Sequence, residues 1–124
     1  MVKGIGIDII DVARIKKTTT KDNRFVEKVY TASEIGYCRS KYRPEEHFAA
    51  RFAAKEAFFK ALGTGWRGGM AWTDISVEND ALGKPEIRLS GKALEYFKKK
   101  KFQGLHLSIS HTKDYAVAAV VIED

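Results

Sequence analysis

Apolar and polar residues follow two different periodicities along the chain. Where apolar β-branched residues run continuously or alternate with polar ones, the pattern predicts strands. Five segments have this character: residues 2–10, 73–79, 84–89, 105–111 and 115–123. The turn-like sequence DALG separates the second from the third. Thr112, Lys113 and Asp114 join the last two in a predicted hairpin.

Other segments space their apolar residues as helices do. The predicted helices cover residues 11–20, 23–30, 31–39, 44–62 and 90–101. Thr31 and Glu34 match a capping box at the start of the third helix. Pro44 suits the first turn of the fourth and longest helix, and Gly63 and Gly65 are expected to end it.

The order of these segments predicts the fold class. One strand, several helices, two strands, a helix and a hairpin indicate an α+β fold in which helices, one of them long, pack on a mainly antiparallel sheet. At 124 residues, the chain is expected to form a single domain over residues 1–124.

Composition narrows the environment of the protein. Hydrophobic residues make up 44% and charged residues 31%, which is ordinary for a soluble globular chain. The longest apolar run is far shorter than the about 20 residues needed to cross a bilayer. Asp8 and Asp11 interrupt the first apolar stretch, so we expect no signal peptide and a cytoplasmic location. A single cysteine, Cys38, excludes an internal disulfide and a cysteine-based zinc cluster.

The formal net charge of +6 favours an anionic partner. One basic cluster follows the first strand: Arg14, Lys16, Lys17, Lys21, Arg24 and Lys28. A second cluster, Lys98 to Lys101, is typical of the last turn of a helix, where the helix dipole favours cations. Solvated helical faces would explain either cluster equally well.

Asp8 is a charge inside an otherwise apolar strand, between Ile7 and Ile9. An isolated carboxylate is costly to bury, so a buried aspartate usually has a cationic partner or binds a metal ion. The segment itself contains no cation between Gly4 and Asp11.

The longest predicted helix carries a second charged feature. On a helical wheel, at roughly 100° per residue, four apolar residues form a core stripe: Phe48, Phe52, Phe59 and Leu62. Glu56 and Lys60 lie beside that stripe, in a sector shared with Ala49 and Ala53. Because the alanines are small, this face of the helix is predicted to form the wall of a groove. The alternative is that Glu56 and Lys60 form an ordinary ion pair on the surface, one helical turn apart.

Asp8 and Glu56 together suit one magnesium ion, which takes one or two carboxylates and completes its shell with water and phosphates. Lys60 would lie near the same phosphates. The glycines around Thr64 form a loop that could approach a phosphate closely, although a simple helix end explains them too. Phosphoryl-type transfer is the chemistry that this combination favours.

Three segments now identify a family: GIGIDIIDVARI (4–15), RFAAKEAFFKALGTG (51–65) and SISHTKDYAVAAVVIE (108–123). DIS (74–76) and GKP (83–85) lie between them in the expected order. The chain resembles the holo-acyl-carrier-protein synthases, the short bacterial type of 4'-phosphopantetheinyl transferase. The resemblance spans nearly the whole chain, and its middle segment is the most specific.

The resemblance implies a reaction and a set of site residues. Such enzymes transfer the phosphopantetheine arm of coenzyme A to a serine of an apo acyl carrier protein, release adenosine 3',5'-bisphosphate and support fatty acid biosynthesis. It implies that Asp8 and Glu56 bind Mg²⁺, that Lys60 contacts the phosphates, and that these three residues are catalytic. The residues implied to line the coenzyme A site are Arg51, Lys60, Gly63, Thr64, Gly65, Lys84, Pro85, Ser110 and His111.

The same resemblance implies partners. Acyl carrier proteins are acidic, so Arg14, Lys17, Lys21 and Arg24 are candidate docking residues, and Arg14 lies inside the first family-like segment. The family is typically a homotrimer with its sites between subunits, acting on neither nucleic acid nor membrane. Two positions are less typical: bulky Phe59, which could alter the site wall, and the Trp66–Trp72 stretch, which suggests a mobile loop.

Other functions explain less of the sequence. A small basic nucleic-acid-binding protein fits the charge, but the aromatic residues fall at core-like helical spacing instead of alternating with Lys and Arg. A nucleotide-hydrolysing domain is disfavoured because the chain lacks the pattern GxxxxGK[ST]. A non-catalytic binding module would leave Asp8, Glu56 and Lys60 unexplained.

Overall fold

The computed structural model describes residues 1–64 and 69–124. The strands are β1 (Val2–Asp11), β2 (Ile75–Asn79), β3 (Pro85–Leu89), β4 (Gly104–His111) and β5 (Tyr115–Glu123). The helices are α1 (Val12–Lys21), α2 (Asn23–Val29), α3 (Ala32–Arg39), α4 (Pro44–Leu62) and α5 (Gly91–Lys99), with a short 3-10 helix at Trp72–Asp74. Each predicted segment is confirmed to within a few residues, and the fold class is α+β.

The strands form two antiparallel sheets instead of the single sheet that the sequence predicted. One sheet has the order β1-β5-β4, and the second is the β2-β3 hairpin. Strands β3 and β4 lie beside each other, but the described residues contain no ladder of hydrogen bonds that would join the two sheets.

The helix ends follow the expected chemistry. Asp11 caps α1, and its Oδ1 accepts a hydrogen bond from the Arg14 amide at 3.3 Å. The capping box of Thr31 and Glu34 is present at the start of α3. Gly63 ends α4 with φ +80°, a left-handed conformation that glycine adopts without strain.

Helix α4 packs directly on the backbone of β1, and two glycines make this possible. An added Cβ at Gly4 would lie 2.0 Å from the carbonyl oxygen of Ala61, and one at Gly6 would lie 1.9 Å from that of Ala57. No side chain larger than hydrogen fits at such distances. The glycines of the first motif therefore allow the strand that carries Asp8 to approach the helix that carries Glu56.

The two faces of the larger sheet differ. The four inward-facing alanine, valine and isoleucine side chains of β5 are fully buried: Ala116, Ala118, Val120 and Ile122. On the opposite face, Ile5, Ile7 and Ile9 of β1 are 69%, 61% and 61% exposed. Strand β1 therefore has an apolar face that a single chain leaves exposed to solvent.

The expectation about Phe59 needs correction, whereas the mobile loop expected at Trp66–Trp72 stays a prediction. Phe59 is buried against Phe58 and Trp72, so it belongs to the core and does not line the cleft described below. Residues 65–68, among them Gly65 and Trp66, lie outside the part of the chain that the structure describes. Met70 is buried, and Trp72 begins the 3-10 helix. No helix in the described ranges is long and apolar enough to cross a membrane.

Candidate active site

Asp8 has a cationic partner, and that partner is Lys60. The Nζ of Lys60 donates a hydrogen bond to Asp8 Oδ1 at 2.8 Å and another to the carbonyl oxygen of Ile7 at 3.0 Å. The Asp8 side chain is 16% exposed, and that of Lys60 is 52% exposed. Asp8 is therefore mostly buried, faces α4 from the inner side of the sheet and is neutralised by a half-exposed ammonium.

Glu56 lies within electrostatic reach of this pair. Partial burial raises the pKa of the Glu56 carboxyl, the negative charge of Asp8 raises it further, and Lys60 acts in the opposite direction. Two carboxylates and one ammonium thus share a small region between β1 and α4. Lys60 neutralises only one of the two carboxylates, so one negative charge remains. A divalent metal ion bound beside Asp8 and Glu56 would neutralise it.

Asp8 and Glu56 border a cleft of about 520 Å³. Its polar lining comes from Asp8, Asp11, Arg14, Thr18 and Glu56, and its apolar lining comes from Ile9, Ile10, Ile15, Phe25 and Phe52. The cleft is therefore a mixed surface, acidic at one side, with one arginine and an aromatic wall. Phe25 and Phe52 were not predicted as site residues.

The donor set of the cleft fits magnesium better than a softer metal. In the described ranges, the structure has no group of three or more histidine, cysteine or acidic side chains that could enclose an ion. Two carboxylates suffice for Mg²⁺, which retains water and accepts phosphate oxygens. Burial is the main cause of the raised pKa of Glu56, and the negative charge of Asp8 adds to it, so a cation bound between the two carboxylates would relieve both effects.

The alanines beside Glu56 do not leave the open groove that the wheel predicted. Ala49 and Ala53 are fully buried. Ala49 belongs to the same packed cluster as Val12 and Ile15 of α1. Because α1 and β1 fill the space over these small side chains, the cleft opens farther along, between Glu56, Phe52 and α1.

Arg51 is buried and connects α4 to the β2-β3 hairpin. Its Nη2 donates to Asn79 Oδ1 at 3.0 Å, and its guanidinium lies 4.1 Å from the centre of the Tyr37 ring. Asn79 Nδ2 in turn donates to the carbonyl oxygen of Gly83. Arg51 therefore supports the turn that presents Lys84 and Pro85, and all of these residues lie outside the Asp8–Glu56 cleft.

Ser110 and His111 lie at the end of β4. Ser110 pairs with Val117, which pairs with Ile9, so Ser110 shares the outer face of the sheet with the exposed isoleucines and not the inner face with Asp8. His111 lies on the inner face, where its Nδ1 is 3.0 Å from Glu46 Oε1. The ring of His47, which received no role from the sequence, packs edge-on against His111 with a centroid distance of 5.1 Å.

The remaining predicted residues lie after α4 and along α1 and α2. Gly63 and Thr64 follow α4, and Gly65 lies outside the described residues. Arg14 lines the cleft, whereas Lys17 and Lys21 are exposed on the same side of α1. Arg24 lies in the first turn of α2, and its Nε is 3.4 Å from Asp22 Oδ1. One chain thus brings Asp8, Glu56, Lys60 and Arg14 together, while Arg51, Lys84, Pro85, Ser110 and His111 lie elsewhere.

Sequence reasoning missed a buried ion pair next to Glu56. Lys55 Nζ lies 2.7 Å from Glu34 Oε1, and both side chains are completely buried. The sequence identified Glu34 only as a member of the capping box. A signal was available, because the helical wheel places Lys55 inside the stripe of Phe48, Phe59 and Leu62, where a charge requires a buried partner.

Comparison with known proteins agrees with this arrangement of elements. Residues 4–120 match the 4'-phosphopantetheinyl transferase superfamily. A holo-[acyl-carrier-protein] synthase of Geotalea daltonii is 47% identical over 124 residues, covering 99% of each chain. The crystal structure of the Neisseria meningitidis synthase is 35% identical, has a TM-score of 0.91 and covers 100% of both chains. The Bacillus anthracis synthase in complex with CoA (3',5'-ADP) is 41% identical, has a TM-score of 0.82 and covers 100% of this chain and 98% of that one.

Sequence identity of this extent along the whole length, together with the same fold, leaves one assignment. The chain belongs to the 4'-phosphopantetheinyl transferase superfamily.

Proposed function

We propose that this protein transfers the 4'-phosphopantetheine arm of coenzyme A to a serine of an apo acyl carrier protein, with Mg²⁺, in the cytoplasm and in support of fatty acid biosynthesis. The observation that carries the proposal is the group formed by Asp8, Glu56 and Lys60 at the edge of the 520 Å³ cleft. Relatives named holo-[acyl-carrier-protein] synthase along the whole chain support the choice of substrates.

Asp8 and Glu56 would hold the magnesium ion. A bound Mg²⁺ neutralises the diphosphate of coenzyme A and so reduces its repulsion of an incoming oxygen nucleophile. Asp8 is fixed by the strand and Glu56 by the helix, so neither ligand depends on a loop for its position. The Lys60 ammonium lies 2.8 Å from Asp8 and would stabilise charge that develops on the phosphates and on the leaving group.

The residues also provide for the proton of the attacking serine. The serine Oγ attacks the β-phosphorus of coenzyme A, the bond from that phosphorus to the bridging oxygen breaks, and adenosine 3',5'-bisphosphate leaves. Glu56 or a water molecule beside the metal ion would take the serine proton as the new bond forms.

We propose that a homotrimer completes the coenzyme A site. Ser110 faces the opposite side of the sheet from Asp8, and a neighbouring subunit would bring a Ser110 to the same substrate as Asp8. The exposed isoleucines Ile5, Ile7 and Ile9 share that outer face, and an open apolar surface of this kind marks an interface. The adjacent His111, and Arg51 with the Lys84–Pro85 turn, would line the same composite site.

The carrier protein would dock along α1. Arg14 lines the cleft beside Glu56, and Lys17 and Lys21 extend the positive surface away from it. Arg24 would extend it onto α2. An acidic carrier would be drawn to this surface, since complementary charge accelerates encounter more than it tightens a complex.

Mass spectrometry of the carrier protein tests the transfer. Apo acyl carrier protein, coenzyme A and Mg²⁺ are incubated with the enzyme, and the carrier should gain the mass of one phosphopantetheine. Asp8→Ala and Glu56→Ala should each remove most of the activity, while Lys99→Ala on the exposed side of α5 serves as the control. Absence of the mass gain with the wild-type protein would refute the proposed activity.

Light scattering coupled to size-exclusion chromatography tests the assembly. The wild-type protein should elute with three times the chain mass of 13.9 kDa. Ile7→Glu places a charge on the apolar outer face and should yield monomers. Leu82→Glu is the matched control, because Leu82 is an isolated apolar side chain, 95% exposed in the β2-β3 turn. A monomeric wild-type protein would refute the trimer.

A further inference from the structure

The Lys55 ammonium is enclosed by four oxygen atoms from three separate segments of the chain. Its Nζ donates to the carbonyl oxygens of Val29 at 2.8 Å, Trp72 at 3.1 Å and Ile75 at 2.6 Å. Its fourth neighbour is the Glu34 carboxylate at 2.7 Å. An ammonium has only three hydrogens, so these four acceptors use its full donor capacity.

Glu34 extends the same network into the second sheet. Its Oε1 accepts from the Thr31 amide at 2.9 Å, and its Oε2 accepts from the Val77 amide at 2.9 Å. Helix α3 is thereby tied to strand β2, and Lys55 ties both to α4. Neither side chain reaches solvent, so the pair contacts no substrate directly.

The position of Lys55 on the helix connects this network to the active site. At roughly 100° per residue, Lys55 and Ala57 lie about 200° apart, on opposite sides of α4. Ala57 packs on Gly6 of β1, and Lys55 is bonded to the segments on the other side. Glu56 lies between these two contacts. Rotation of the helix, which would turn Glu56 out of the cleft, is therefore opposed from both sides.

The network also reaches the aromatic wall of the cleft. Lys55 donates to the carbonyl oxygen of Trp72, and the indole of Trp72 stacks on Phe52 with a centroid distance of 5.4 Å. Phe52 lines the cleft one helical turn before Glu56. Val29, whose carbonyl oxygen also accepts from Lys55, is the last residue of α2, and α2 contributes Phe25 to the same wall.

We propose that the buried Lys55–Glu34 pair is a positioning unit for the transfer reaction: it sets the rotation of α4 and thereby the orientation of Glu56 toward Asp8 and the metal ion. This role rests on the proposed function for its catalytic consequence, but its effect on metal affinity can be measured without any transfer. Lys55 and Glu34 act through Glu56 and are not catalytic residues.

The test compares a neutral double variant with the wild-type protein. Lys55→Met combined with Glu34→Gln removes both charges together, so no unpaired charge is left in the core. Circular dichroism should show a folded protein. We expect Mg²⁺ to bind roughly 10- to 100-fold more weakly, the usual effect of removing a group that orients a metal ligand. Titration of Mn²⁺, followed by its electron paramagnetic resonance signal, measures this affinity on the protein alone.

Steady-state kinetics supply the second measurement. At saturating Mg²⁺, kcat should fall by about 100-fold, as expected for misplacement of a reacting group by about 1 Å. The KM values for coenzyme A and carrier protein should change by less than about threefold, because these residues contact neither substrate. Lys99→Met, which removes an exposed lysine from α5, is the matched control and should retain wild-type values.

A second variant covers the case in which the double variant does not fold. Lys55→Arg keeps the positive charge, but its planar guanidinium cannot direct its donors at all four acceptors. It should lower kcat and metal affinity while the protein stays folded. A folded variant of either kind with wild-type metal affinity and kcat overturns the positioning role. If the wild-type protein transfers nothing, the proposed function fails, and the Mn²⁺ titration alone decides the positioning role.

Discussion

Replacement of Gly6 by alanine should separate the two elements that carry the metal ligands. An alanine Cβ at this position would lie 1.9 Å from the carbonyl oxygen of Ala57 and 2.7 Å from the amide nitrogen of Ala61. Both are backbone atoms of α4, so no side-chain rotation can relieve the overlap. Ordinary contacts of a Cβ begin near 3.4 Å. Strand β1 and helix α4 would have to move apart by more than about 1 Å, which is the scale of overpacking that strains cores.

We expect Gly6→Ala to lose most of its transfer activity and part of its folding free energy. Asp8 lies two residues from Gly6, and Glu56 lies next to Ala57, so the movement acts directly on the distance between the two carboxylates. Misplacement of catalytic groups by about 1 Å costs on the order of 100-fold in rate. Overpacking of this kind costs about 1–3 kcal/mol of folding free energy.

Carrier protein conversion and thermal unfolding are the two assays. Gly36→Ala is the matched control, because a Cβ at Gly36 meets no atom within 4 Å and the residue lies inside α3. Alanine there should keep full activity and raise Tm slightly, since it favours the helix. If Gly6→Ala retained activity within about threefold and an unchanged Tm, the argument from close approach of β1 and α4 would be wrong.

The other predictions concern titration, metal binding and the buried thiol. The pKa of Glu56 is raised above the value of 4.5 expected in the unfolded chain, so the folded state favours the protonated carboxyl. The free energy of unfolding therefore decreases as the pH rises from 4.5 through the folded-state pKa. Glu56→Gln should therefore raise Tm of the metal-free protein at pH 7, and the difference should disappear near and below pH 4.5. Mg²⁺ should raise Tm of the wild-type protein but not of Glu56→Gln, and equal shifts in both would contradict the ligand assignment. Burial raises the pKa of the Cys38 thiol to about 12, so an aromatic disulfide reagent should label Cys38 only after denaturation; rapid labelling of the native protein would contradict this.

Local interactions explain why so many elements could be predicted. Asp11, Thr31, Glu34 and Gly63 act on helix ends within four residues of their own positions, so their sequence neighbours were sufficient to identify them. The spacing of Glu56 and Lys60 depends only on the helical period.

The charge at Asp8 was recognisable from its apolar neighbours, but its partner was not. Lys60 is 52 residues away along the chain, and only the packing of α4 on Gly4 and Gly6 brings them together. The same holds for the cleft, because Phe25 and Phe52 look like core residues until α1 and α2 are placed beside α4.

By itself, the sequence determined the helices, the strands, the two carboxylates and the family, because these depend on short-range periodicity and on motifs. Tertiary structure decided which side of each element meets which neighbour. It placed Asp8 on the inner face and Ser110 on the outer face, and it turned Lys55 into the core, where Glu34 neutralises it. Burial of a charge depends on atoms that are distant in the chain, and for that reason a residue's own neighbours in the sequence do not reveal it.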